Sequence, residues 1–550
     1  MSRPTMTAET DEHTIRANYT QLRSLVAAAE YRRDADKLEE AAALASASAT
    51  FAWFNHAGVF SDPALERLLV DLSGRVPYIC PPLPRSSSDG RKRVVLHIAT
   101  ELYPTGGHTQ MLSRWIADDG QSQHRVALTR QGWRPIPDKV ARLLVDRPVR
   151  LDGRCRSHFQ RAAALRRICH EADVVVVHTH PDDILPALAL AATTKPCIVV
   201  NHASHVFWAG VSLARTTLHL RRSAQELAIT RRGLPADTGF LVNRPLAFPE
   251  VDMRRADARA HFGLADGQVV IATAAAGSKY EPLEGGDNLV QLLVREVESH
   301  PQLIVLAAGP RAERQWLSAQ GATAGRIRAL GPLHSVGSLL AAADIYIDSF
   351  PFSSITSLLE AGAYGLPLVS YRGHGPGCEV LSADPPAIEE EVLYPKTPDE
   401  FHRVVSALAA SAEVRESRGA LLRQMIAATH SSAAWQEVVE SLYEFAQRPG
   451  GAEGAVDIGD IAPQAGALDC TVSRIQQRTG QAQGIDAVYR LAMGSMPLRA
   501  RIRTWYRLKH SGLTLRVPEL LREVDRVRLQ KAGYLILRCI RPKWVDARLG

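Results

Sequence analysis

Three short segments hold residue types suited to an anionic, hydroxyl-rich ligand. The first runs Asp344-Ile-Tyr-Ile-Asp-Ser-Phe-Pro-Phe-Ser-Ser-Ile-Thr-Ser-Leu-Leu-Glu-Ala-Gly-Ala-Tyr-Gly-Leu-Pro-Leu-Val-Ser370. Its pattern is a strand, a polar turn, a helix and a second strand. Ser354, Thr356 and Ser357 stand where the helix begins. A helix start offers free backbone N–H groups and the positive end of its dipole, which suit a phosphate. Glu360 lies one turn further on, placed to accept from a sugar hydroxyl such as that of a ribose. The same residues also fit a plain helix cap followed by a solvated glutamate. Spacing alone leaves both readings open.

The second segment, 274–280, is Ala-Ala-Ala-Gly-Ser-Lys-Tyr. Small residues and Ser278 let a ligand approach the backbone, and Lys279 is a point charge beside it; a solvated lysine is the alternative. The third, 97–110, closes a strand with Gly106-Gly107, and His108 opens the next helix. His108 could touch a phosphate or an acceptor, or act as a base with a pKa near neutrality. A histidine held by backbone bonds at a helix start is the other reading. Further on, His178 and His180 precede Asp182 and Asp183, and His202 and His205 precede Phe207 and Trp208. Four histidines and two aspartates raise zinc as an option, although these positions already lie in loops beyond strand ends. Trp208 could stack on a sugar ring or pack in the core.

Such groups must be held by a scaffold, and the apolar runs describe one. Short runs at 94–99, 174–177 and 197–200, separated by helical patterns, read as buried parallel strands in βαβ units. A second series follows at 269–274, 303–308, 327–330, 345–348 and 368–371, with helices between them at 288–299 and 357–364. The predicted fold is α/β, two tandem doubly wound domains, with a ligand cleft between the C-terminal edges of their sheets. The expected division is a helical N-terminal region over 1–90, a first domain over 91–245 and a second over 246–446. A flexible linker over 447–484 and a basic helical tail over 485–550 complete it. No short-period repeat is present.

The 344–370 segment resembles the donor-binding motif of GT-B glycosyltransferases, most closely the O-GlcNAc transferase and bacterial cytoplasmic protein N-glycosyltransferase type. Gly331-Pro332-Leu333 and Leu339–Asp344 match the same pattern, and the resemblance covers roughly 91–446. It implies two Rossmann-like domains and transfer of a sugar from a nucleotide-sugar, UDP-linked, to a protein, glycan or small-molecule acceptor. It further implies that Gly107, Ser278, Lys279, His334, Ser354, Thr356, Ser357 and Glu360 bind the donor, with Val336 beside His334 at the base. Lys279 would neutralise the leaving diphosphate in place of a metal, so no cofactor is expected. His108 would share the catalytic role, and His202, His205 and Trp208 would line the acceptor side. Retaining relatives carry a second glutamate where this chain has Phe352, which points to inversion. A nucleotide-sugar 2-epimerase on the same fold, or an inactive binding module, are the rival readings.

Composition narrows the classes. With 550 residues, 46% of them hydrophobic and 22% charged, the chain is globular. Its 7 cysteines include no C-x-x-C pair, which argues against zinc ribbons and thioredoxin-type redox sites. The polar start lacks a signal-peptide core, and no run is long enough for a membrane span, so a cytoplasmic protein is expected. The net charge is +7, from 65 Lys+Arg against 58 Asp+Glu. Residues 485–550 hold 15 of the basic and 5 of the acidic groups, leaving 50 against 53 elsewhere. A slightly acidic body gives no support to nucleic-acid binding. The basic tail, with Trp505, Tyr506 and Trp544, has the composition of a segment that lies weakly on an anionic membrane, or of a packed appendage with a solvated basic face.

Overall fold

The computed structural model describes residues 8–77, 92–448 apart from 105, 133, 153–156 and 247–252, 455–488 apart from 486, and 498–510. Two parallel sheets organise it. The first has seven strands: β1 (Val94–Ala99), β2 (Gln123–Leu128), β3 (Val149–Arg150), β4 (Val174–His178), β5 (Cys197–Asn201), β6 (Thr217–His219) and β7 (Gly239–Leu241), ordered β3-β2-β1-β4-β5-β6-β7. The second has five: β8 (Val269–Ala274), β9 (Leu303–Ala308), β10 (Ile327–Gly331), β11 (Ile345–Ile347) and β12 (Leu368–Val369), ordered β10-β9-β8-β11-β12. β1, β4, β5, β8 and β9 are buried along their whole length, as apolar, Val- and Ile-rich strands covered on both faces must be.

Order reverses between β1 and β4 in the first sheet and between β8 and β11 in the second. Loops leaving the C-terminal ends of these neighbours diverge to opposite faces, and the crevice between them is where open α/β sheets take ligands.

The N-terminal helices Ala8–Asp34, Leu38–Phe54 and Pro63–Gly74 join the first domain in one continuous core. Buried Glu66 accepts from the N–H groups of Gly210 and Ser212 at 2.8 and 2.9 Å, so the third of these helices anchors a first-domain loop. The segment expected as a flexible linker is instead docked in its described part. Val456 N–H donates to Ser212 O at 3.0 Å, Gln464 N–H to Gly58 O at 2.9 Å, and the helix Ala467–Arg478 follows. The helix Leu498–His510 buries Thr504 and Leu508 against the N-terminal helices, and residues 511–550 of the basic tail lie outside the described residues.

The chain passes between the two domains twice. It leaves the first at Val242–Leu246, and the helix Ser432–Ala446 returns to it, packing Trp435, Val439 and Tyr443 against Val95 and Trp115. That helix was expected to belong to the second domain. The two crossings are tied together: His430 Nδ1–H donates to Arg244 O at 2.7 Å, and Leu246 N–H to His430 O at 3.0 Å.

Candidate functional site

A cavity of about 1350 Å³ lies between the C-terminal edges of the two sheets, and both switch points open into it. The second-domain wall is built outward from Asp348, which follows β11. Its buried carboxylate accepts from Ser349 N–H at 2.8 Å, Ser354 N–H at 2.9 Å and the Ser353 hydroxyl. Those bonds fix the turn so that the helix Ile355–Ala363 starts at the cavity. Ser354 makes no side-chain cap bond to that helix; its Oγ lies 3.4 Å from Ser357 Oγ. The simple capping alternative is therefore not what the Ser354 hydroxyl does.

Thr356 Oγ1 accepts from Arg244. Glu360 lines the cavity one turn on; burial raises its carboxyl pKa, against the pull of Arg244 and Lys139. Lys279 donates to Ser353 O at 2.6 Å and stands 4.7 Å from the centre of the Phe352 ring. Burial lowers its ammonium to about 8, against the opposing charge of Asp348. Phe352 also meets His205, with ring centres 4.2 Å apart, so the residue standing in place of a second glutamate packs between a lysine and a histidine. Gly309 makes the floor possible: its φ is +105°, and a Cβ there would fall 1.9 Å from Ala275 O. His334 sits exposed at the rim with Val336, whereas Ser278 is exposed and does not line the cavity.

The first-domain wall is made mainly of histidine rings. Gly107 comes close to the opposite wall, since a Cβ on it would lie 3.6 Å from both Arg244 Nη1 and Thr356 Oγ1. His108 stacks on His202 with centres 4.1 Å apart and planes 19° apart, and its buried Nδ1 has no hydrogen-bond partner among the described residues. Burial, then repulsion from His180, drives His108 down to about 3, far from the neutrality expected of it. The buried Nδ1 of His205 is likewise without a partner.

Trp208 is not a cavity residue. It is buried in the core, with the Arg232 guanidinium 5.2 Å from its ring centre, so the stacking alternative gives way to packing. Asp182 and Asp183 are also engaged elsewhere. Asp182 pairs with Arg130 at 2.6 Å and Thr50 at 3.0 Å, and Asp183 takes the hydroxyls of Thr100 and Thr129. Among the described residues, no group of three or more His, Cys, Asp or Glu could hold a metal ion.

Arg221 and Arg244, which line the cavity, have no counterpart in the sequence reading. Arg221 donates to Ser204 Oγ at 2.6 Å and Ser382 O at 2.9 Å. Arg244 leaves a buried Nε without a partner, and burial lowers its guanidinium to about 10. They follow the short strands β6 and β7, and the available signal was an arginine two residues past the first and three past the second. With Lys279 they put three cations around the cavity, the setting an anionic group such as a diphosphate requires.

No family model and no curated protein sequence matches this chain. Solved structures do. HepE of Anabaena, solved in complex with UDP and glucose, superposes with a TM-score of 0.50 at 14% identity, over 64% of this chain and 99% of that one. A glycosyltransferase from Rickettsia africae gives 0.51 at 9% identity, over 65% of this chain and 99% of that one. Two Rossmann-like domains joined by a double crossing, with the cavity at their facing switch points, are the GT-B fold, and this chain has it.

Proposed function

We propose that this protein is a glycosyltransferase that moves a sugar from a UDP-linked donor to an acceptor bound against the histidine-rich wall. The observation that carries this reading is the uncapped start of the 355–363 helix, which meets Lys279, Arg221 and Arg244 in one cavity. The diphosphate lies over Thr356 and Ser357, where helix N–H groups and hydroxyls face it. Lys279 and Arg244 take the charge that develops as the sugar–phosphate bond breaks, which is the role a metal plays elsewhere. Glu360 accepts from the ribose, and His334 and Val336 border the base. Phe352 leaves no carboxylate at the second position, which supports inversion. His108, at the cavity wall, is the residue assigned to take the proton of the attacking group. A nearby diphosphate dianion raises its pKa from the low value that burial sets. Weak contact of the 485–550 tail with an anionic membrane is the accompanying reading of its composition.

Thermal-shift titration with UDP, other nucleotides and their sugars tests the donor site. Stabilisation by UDP supports it, and no stabilisation by any nucleotide overturns it. Mass spectrometry of products formed with a panel of nucleotide sugars then separates transfer from the epimer formation of a 2-epimerase, which needs no acceptor.

A further inference from the structure

Four histidines form an unbroken row through the first domain. His124 lies on β2, His97 on β1, His178 at the end of β4 and His202 just past β5, so they cross the sheet in the order of its strands. His202 Nε2 is 3.2 Å from His178 Nδ1, His178 Nε2 is 3.1 Å from His97 Nδ1, and His97 Nε2 is 3.0 Å from His124 Nδ1. At the far end, His124 Nε2 is 2.9 Å from the backbone carbonyl of Asp119. The rings sit under Trp115, which meets His97 and His178 edge-on with centres 5.7 Å away in each case.

A carbonyl only accepts. His124 Nε2 must therefore carry a hydrogen, and in a neutral ring its Nδ1 is then a bare acceptor. His97 Nε2–H must donate to that acceptor, which bares His97 Nδ1, and the same step repeats at His178 and at His202. Burial keeps the rings neutral: it lowers His124, brings His178 to about 3 and holds His97 and His202 well below the ordinary value. The charged groups near the row are the Asp119 carboxylate, 3.5 Å from His124 Nε2, Lys92 beside His124, and Arg244 near His202. Asp119 is itself held by the hydroxyl of Tyr443 at 2.8 Å, so the terminus is fixed.

We propose that this row sets the tautomer of His202, making its Nδ1 a permanent hydrogen-bond acceptor in the cavity that selects and orients a hydroxyl or N–H of the bound acceptor. His202 lines the cavity, its ring plane is fixed by the stack on His108, and no described residue donates to its Nδ1. The identity of the donor to Nδ1 rests on the glycosyl-transfer reading; the tautomer does not. His97, His124 and His178 are positioning residues, since they act through His202 rather than on a substrate.

The test is ¹⁵N NMR of the full-length protein labelled on histidine, with His202→Gln used for assignment and His97→Phe used to cut the row at its middle. The wild type is expected to show His202 neutral at pH 7, protonated on Nε2 and bare on Nδ1. In His97→Phe, the His202 signal is expected to become a mixture of tautomers. kcat/KM for the acceptor should fall about tenfold, the worth of one hydrogen bond, while UDP affinity stays within about twofold of wild type. A wild-type His202 that carries its hydrogen on Nδ1, or is an imidazolium at pH 7, overturns the proposal even where the variant does not fold. So does a tautomer unchanged in His97→Phe. Failure of UDP to bind would remove the glycosyl-transfer reading and leave the tautomer measurement standing.

Discussion

The two walls of the cavity solve different electrostatic problems. The second-domain wall presents a cation, hydroxyls and free N–H groups, with Asp348 and Glu360 set among them. The first-domain wall presents imidazoles that burial keeps uncharged, with Arg221 as its cation at one end. One wall is suited to receiving an anion and stabilising more negative charge as a bond breaks. The other is suited to holding polar, uncharged groups by direction rather than by charge. Arg244 stands between them: it donates to Thr356 of one wall and borders Gly107 of the other.

The contrast can be broken from either side. The largest expected effect is on the charged wall. Lys279→Ala should cut transfer by about 10²–10³, as loss of a group that stabilises transition-state charge does, with the melting temperature little changed. Wild-type turnover in this variant would remove Lys279 from the role. Glu360→Ala should weaken donor binding by about tenfold, the loss of one charge-assisted hydrogen bond, read from UDP titration. A milder probe is pH. Because burial brings Lys279 down to about 8 and it must be protonated to oppose the diphosphate, kcat/KM for the donor should fall above pH about 8. A profile flat to pH 10 would contradict this.

The neutral wall should respond to acid instead. The buried histidines, His97 and His202 among them, have folded pKa values well below the unfolded value near 6.5. As pH falls below about 6.5 the unfolded chain takes up protons that the folded chain refuses, so stability is lost with acidification. Each such ring contributes up to about 1.4 kcal/mol per pH unit. Thermal melts from pH 7 to pH 4 should show a steep fall, and a flat curve would mean the rings are charged in the native state. The smallest effect is expected at Trp208, where Phe should cost about 1–2 kcal/mol of stability through lost packing on Arg232 and leave kinetics unchanged.

Much of the scaffold was legible because buried parallel strands leave apolar runs. β1, β4, β5, β8 and β9 read directly from such runs. The short strands β3, β6 and β7 did not, since two or three residues such as Val149–Arg150 or Gly239–Leu241 carry no run to detect. The charged wall was legible because 344–370 is contiguous, so its hydroxyls and Glu360 share one helix. The neutral wall was legible only in part. His108, His202 and His205 end strands or open helices and stood out, but His97 sits inside an apolar run and His124 in an unrecognised strand. Their meeting depends on the β2-β1-β4 neighbourhood, which no local window contains. Arg221 and Arg244 were missed for the same reason, and Trp208 was misplaced because an aromatic beside a loop histidine looks alike in a core and in a cleft.

The paired crossings at 244–246 and 430 have a mechanical consequence. Two chain segments laced together by His430 make one rigid joint between the domains, so a displacement of either domain at this point must carry both crossings with it. Arg244 is mounted on that joint, with its carbonyl bonded to His430 and its guanidinium reaching Thr356. The joint that connects the domains is thus also the mount of a cavity cation, so a substitution that disturbs the crossing at His430 should disturb the charge offered to a ligand as well.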